Sequence, residues 1–149
     1  MRRLLLSAPL VVLVVVLSGC TPDNVSTAAS SGDHVVYCTV IAEAAGKDGT
    51  GKLILGKGRY QCAAQADSLT MTVELQQQLT GGDWKPMVKQ TFVAKAAQTT
   101  RRTTQTVAVP CNTGKFRSVV ISTVVSKGVT TKPKTMNGAP VRDPCGRRL

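Results

Sequence analysis

The residues able to carry acid–base, nucleophilic or metal chemistry are few and scattered. The 149-residue chain has a single histidine, His34, and eight acids: Asp23, Asp33, Glu43, Asp48, Asp67, Glu74, Asp83 and Asp143. Catalysis by proton transfer needs titratable groups in working pairs. His34 reads instead as a solvated residue at the start of a strand, and the acids fall mainly in turns or in a polar N-terminal stretch. Only Glu74 lies in a confident strand, on its polar face. No pair of carboxylates suggests glycoside chemistry, and the Ser-x-x-Lys arrangement of penicillin-binding enzymes is absent. Gly46-x₄-Gly51-Lys52 has the spacing of a phosphate-binding loop. The next residue is Leu53 rather than the Ser or Thr that holds magnesium, so residues 46–57 read as a surface loop. Catalytic residues, a cofactor site and a metal site are therefore not expected.

Five cysteines remain, and they divide by position. Cys20 ends a segment with a distinct composition. Arg2 and Arg3 give it a positive start, Leu4 to Leu17 is almost unbroken apolar sequence, and Leu17-Ser18-Gly19-Cys20 closes it. A charged start, an apolar core of about 10–14 residues and a small residue before the cut describe a secretory signal. The core is short of the roughly 20 apolar residues a spanning helix needs. Leu-Ser-Gly-Cys resembles the lipobox of bacterial lipoproteins at all four positions. The resemblance implies a diacylglyceryl group on the Cys20 thiol and cleavage before it, so that residues 1–19 are removed. It places the protein on the outer face of the cell membrane, held by lipid. Acyl chains contribute about 0.8 kcal/mol per buried methylene, and two chains anchor far more firmly than one.

Cys38, Cys62, Cys111 and Cys145 are an even number in an exported chain and read as two disulfides. Four cysteines allow three pairings. Cys38–Cys62 with Cys111–Cys145 is preferred: the first closes a Gly- and Lys-rich loop, the second ties the chain end to the last strands. A zinc site is disfavoured because no two of these cysteines stand at the close spacing that zinc sites use.

Removal of residues 1–19 leaves 130 residues, enough for one domain and a tether. The chain carries 19 Lys and Arg; Arg2 and Arg3 leave with the signal, so 17 face 8 acids, a formal charge of +9. A positive domain at a membrane surface is drawn to anionic lipid heads and anionic wall polymers. Nucleic acid is not an expected partner, since Tyr37, Tyr60, Trp84, Phe92 and Phe116 are the only aromatics available for stacking.

The elements that must position these residues read as strands. Residues 20–33 form the lipidated cysteine and a flexible tether of small polar residues, and 34–149 a disulfide-bonded domain. His34–Ala42 is a strand with two mostly apolar faces. Residues 59–64 are a short strand carrying Cys62. Ser68 to Leu79 alternates most clearly, with Leu69, Met71, Val73 and Leu75 against Thr70, Thr72, Glu74 and Gln76. Thr80-Gly81-Gly82-Asp83 is a hairpin turn, and residues 84–93 return with Pro86 suggesting a sheet edge. Residues 101–109 and 116–126 are further strands, the latter central, and 128–137 is a polar loop or ragged hairpin before the tail returns. Without a sustained 3.6-residue stripe, helices should be minor. About seven strands at intervals of about 8–12 residues predict an all-β, immunoglobulin-like β-sandwich with two disulfides.

Tyr60-x-Cys62 resembles the tyrosine–cysteine pair of immunoglobulin domains, although the lone tryptophan follows it instead of preceding it. A second likeness covers roughly residues 60 to 145. Gly81, Gly82 and Trp84, followed by Cys111, Gly114, Phe116 and Arg117 before a long Val/Thr strand, resemble small, mostly uncharacterised actinobacterial exported proteins. These readings together imply a non-enzymatic binding module at the cell envelope whose partner is an envelope protein or an anionic wall polymer. Short basic lipoproteins of phages and prophages, whose members block superinfection, are the alternative the resemblance offers.

Overall fold

The computed structural model describes residues 25–31, 34–97 and 102–146. The signal segment and Cys20 lie outside the described residues. Eleven strand segments and no helix occur among the described residues: β1 (Val25–Ser31), β2 (His34–Ala42), β3 (Gly46–Lys47), β4 (Leu53–Cys62), β5 (Ala66–Gln78), β6 (Trp84–Ala97), β7 (Thr103–Pro110), β8 (Lys115–Ser126), β9 (Val129–Thr130), β10 (Lys134–Asn137) and β11 (Val141–Arg142). They form two antiparallel sheets. The first runs β1-β2-β4-β7, with β3 continuing the β2 side of β4. The second runs β10-β8-β5-β6, with β9 and β11 also on the β10 side of β8.

The alternation in β5 does what its sequence requires. Leu69, Met71, Val73 and Leu75 are buried, facing Phe116, Val120 and Val124 of the same sheet and Val40, Ile54 and Val107 of the other. The two sheets bury their inner faces on each other, which is the sandwich expected from the pattern. β4 comes unusually close to the second sheet because it carries glycine where its inner face meets that sheet. A Cβ on Gly58 would stand 2.8 Å from Val120 Cγ2 and 2.9 Å from Val73 Cγ2, and one on Gly56 3.0 Å from Leu75 Cβ. The sheets are also joined by a hydrogen bond from Lys57 N to Ser118 Oγ, 3.1 Å.

Several expectations change. Residues 46–57 are not wholly a surface loop. The strand read at 59–64 begins at Leu53, because Ile54, Gly56, Gly58 and Tyr60 form one continuous buried row; three Gly and Lys residues within it masked the period of two. Residues 25–31, placed in the tether, pair as β1 with the open edge of β2, from Val25↔Val40 to Ser31↔His34. Small polar residues give no apolar period, and a template edge supplies the backbone partners instead. β2 is buried on one face only, since Tyr37 is half exposed while Val36, Cys38 and Val40 face the core.

Both preferred disulfides are present, Cys38–Cys62 and Cys111–Cys145. Cys38 and Cys62 are directly paired residues of neighbouring strands in one sheet, with Cα atoms 3.9 Å apart and side chains turned into the core. In immunoglobulin domains the bridge spans the two sheets. The sandwich stands, while the immunoglobulin-like detail is not confirmed.

Candidate functional site

Most of the residues that could do chemistry serve to hold turns. Asp48 accepts hydrogen bonds from the Thr50 hydroxyl, from Lys52 N at 2.9 Å and from Leu53 N at 3.0 Å. The amides that a phosphate loop would offer to an anion are thus already taken by the chain's own carboxylate. These bonds, that of Thr50 foremost, hold the Asp48 carboxyl at about 2, below its ordinary 3.8. A folded-state value below the unfolded one means the contribution is complete above about pH 4 and disappears as pH falls through about 2. An NMR titration of the Asp48 carboxyl should therefore have its midpoint near pH 2, with the Lys52 and Leu53 amides losing exchange protection together with it. A midpoint at 3.8 would mean the carboxylate does not hold the loop.

Three other described acids are similarly occupied. Glu43 pairs with Arg59 at 3.1 Å, Asp67 accepts from Gly128 N, and Asp143 Oδ1 accepts from Gly114 N at 2.6 Å. Among the described residues, no group of three or more His, Cys, Asp or Glu side chains is placed to hold a metal ion.

One assembly has a different character. On the outer face of the second sheet, side chains from three neighbouring strands join in a chain. Lys89 Nζ of β6 lies 3.1 Å from Glu74 Oε1 of β5. Gln76 Nε2 donates to Glu74 Oε2 at 3.0 Å. Arg117 Nε of β8 donates to Gln76 Oε1 at 3.0 Å. The Arg117 guanidinium then lies over the Trp84 ring of β6, 4.2 Å from its centroid. The register explains this: Glu74 pairs with Lys89, and Gln76 with Arg117, while Gln78 brings Trp84 alongside. Alternation sends positions 74, 76 and 78 of β5 and 117 of β8 to the outer side together. Glu74 is only 8% exposed although it faces outward, because its neighbours cover it. Partial burial also lowers the Arg117 guanidinium from its ordinary value through lost hydration, and it remains a cation.

The turns beside this assembly converge on the same end of the sandwich. Residues 79–83 form the β5–β6 hairpin, closed by Leu79 N to Asp83 O and Gly82 N to Leu79 O, with Gly82 at a φ of +93° that favours glycine. Gly114, at φ +129°, donates to Asp143, and Gln77 Nε2 donates to Thr113 O. A shallow depression of about 350 Å³ lies against the Cys111–Cys145 bridge, lined by Asn112, Thr113, Asp143 and Gly146 with the two cysteines. Gly81, Gly82, Trp84, Cys111, Gly114 and Arg117, spread over 37 positions of sequence, thus fall at one end of the fold, with Phe116 buried beneath them. Gln76, Glu74 and Lys89 were not singled out as site residues. The signal was available in the pairing of strands around an odd–even pattern, but the partner positions on β6 and β8 depend on register, which one sequence does not supply.

No protein-family model matches the chain, and comparisons with curated proteins and with solved structures find no match.

Proposed function

We propose that this chain is a lipoprotein, anchored by a diacylglyceryl group on Cys20 to the outer face of the cell membrane, and that it acts there as a non-enzymatic binding module. The observation that supports the binding role is the Trp84–Arg117 stack, tethered by Gln76, Glu74 and Lys89 on an open sheet face. An aromatic ring and a pre-oriented guanidinium are the kind of groups that recognition uses. Asp48, Asp67 and Asp143 are engaged in turns, and Glu43 and Glu74 in ion pairs. The export reading is supported by Leu17-Ser18-Gly19-Cys20 after an apolar run and by two disulfides, which persist in oxidising compartments.

The test is the full-length gene expressed with and without Cys20→Ser. The unaltered chain should sediment with membranes and take up labelled fatty acid; the variant should do neither. The binding role is tested by passing envelope extract over the membrane-purified chain and eluting with salt. An unaltered membrane fraction for Cys20→Ser would overturn the anchor. A column that retains neither protein nor polymer would overturn the binding role.

A further inference from the structure

We propose that the outer face of the second sheet, at the end where β6, β5, β8 and β11 lie side by side, binds the carboxylate or phosphate groups of an acidic polysaccharide, with Arg117 as the central recognition residue. The inference rests on the reading of the chain as an envelope binding module.

Arg117 is held on two sides. Trp84 supports its flat face, and its Nε is committed to Gln76. Among the described residues its hydrogen bonding goes through Nε, which leaves the Nη1/Nη2 fork for a ligand. A guanidinium fork matches a carboxylate or phosphate with two parallel donors. Its orientation is fixed before a ligand arrives, so less freedom is lost on binding. The carboxylate inside the network is neutralised: Glu74 is covered and paired with Lys89.

Further cations extend the site. Lys115 occupies the outward position two residues before Arg117, about 6.8 Å along the strand, and Arg142 of β11 pairs with Lys115, about 4.8 Å across. On the other side of Arg117, past Val119 of β8, the same face also carries hydroxyls. Thr72 and Thr91 share a hydrogen bond of 2.8 Å, and Thr70 and Thr123 lie opposite one another. Cations in two directions, a ring and rows of hydroxyls complement a chain of sugars that carries acidic groups. Charge complementarity points the same way, the chain having a net charge of +11 before processing.

Other occupants fit less well. A lipid surface is gripped by apolar and aromatic groups reaching into it, whereas Trp84 is capped by Arg117. A second copy added to the edge strand β6 would meet Pro86, Lys85, Lys95 and an extra residue, Met87, where the register shifts against β5. Prolines, lysines and bulges are devices that block edge pairing.

The full chain, purified from membranes in neutral detergent, is titrated with sodium polygalacturonate, with neutral dextran as control. Arg117→Gln should weaken binding by at least ~10-fold, as expected for loss of a charge-assisted fork, and Arg117→Lys should fail to restore it fully. Trp84→Leu should weaken it several-fold, about 3–10 times. The double variant Lys127→Gln/Lys132→Gln removes more charge from the opposite end, and should stay within about 2-fold of the parent. Unchanged circular dichroism and thermal midpoints exclude unfolding as the cause. Equal losses in Arg117→Gln and the double variant would overturn the site in favour of diffuse charge. Displacement of the polymer by phosphatidylglycerol vesicles, with the same dependence on Arg117, would overturn it in favour of a lipid surface. No binding of polygalacturonate, while the chain still retains an envelope protein above about 0.5 M salt, would refute this inference and leave the binding module standing.

Discussion

Stepwise reduction of the native chain is expected to open Cys111–Cys145 before Cys38–Cys62, and only the second opening should unfold the domain. The order follows from access. Thiol–disulfide exchange requires a thiolate to reach a sulfur. Cys111 and Cys145 are half-buried and line the shallow depression, whereas Cys38 and Cys62 are 0% and 1% exposed and packed among Val36, Val40 and Tyr60. The sizes follow from the chain. Sequence separations of 24 and 34 correspond to roughly 3–4 kcal/mol each in the chain-entropy model. A domain of this length has a total stability of about 5–15 kcal/mol. Loss of Cys38–Cys62 also removes core sulfur that fills the space between the sheets, which adds a packing cost. The pair Cys38→Ala/Cys62→Ala should therefore unfold under mild denaturant, while Cys111→Ala/Cys145→Ala should stay folded with a midpoint lowered by roughly 10–15 °C. Alkylation mapping by mass spectrometry during a reductant titration reads the order. Simultaneous opening, or Cys38–Cys62 first, would contradict it.

The strand at 68–79 was legible because a period of two survives in its residues, and the one at 34–42 because it is a short, mostly apolar run; β2 matches its expected bounds. The hairpin at 80–83 was legible because adjacent glycines have few other uses. β4 was half hidden: its inner row contains Gly56 and Gly58, and a missing side chain leaves no hydrophobic mark even where the backbone is buried. β1 was hidden for a different reason. Its pairing comes from the free edge of β2, a property of the neighbour rather than of its own residues. The site was legible only in part. Trp84 and Arg117 stood out by type, yet their stacking is a product of sheet order, since β8 lies beside β5 and β5 beside β6. Gln76 between them carries no distinguishing chemistry; its role as the bridge between Arg117 and Glu74 exists only once three strands are in register.

Gly138→Ala is expected to be the most damaging glycine substitution among the described residues, lowering stability by about 3 kcal/mol, at the upper end of overpacking costs. Gly138 is buried between β10 and β11, and its amide donates to Ser118 O at 2.8 Å. An added Cβ would stand 2.3 Å from Glu43 O, 2.9 Å from Glu43 C and 3.2 Å from Ala42 O. All three atoms belong to the backbone, so no side-chain rotation relieves the contact. The two sheets must separate locally, where the end of β2 meets the corner that leads to β11. Gly58→Ala should cost less, because Val73 and Val120 present side-chain methyls that can shift slightly. Gly46→Ala, with nothing within 4 Å, should fall within about 0.5 kcal/mol of the parent. Urea midpoints read at constant m-value rank the three. The same corner positions Arg142 and Asp143, and Asp143 fixes the Gly114 turn from which β8 carries Arg117 outward. A Gly138→Ala chain that remains folded should therefore also bind polygalacturonate more weakly, whereas Gly46→Ala should not. Equal stability of Gly138→Ala and Gly46→Ala would mean that the sheets do not meet closely at this corner, and that the support assigned to the Arg117 site must come from elsewhere.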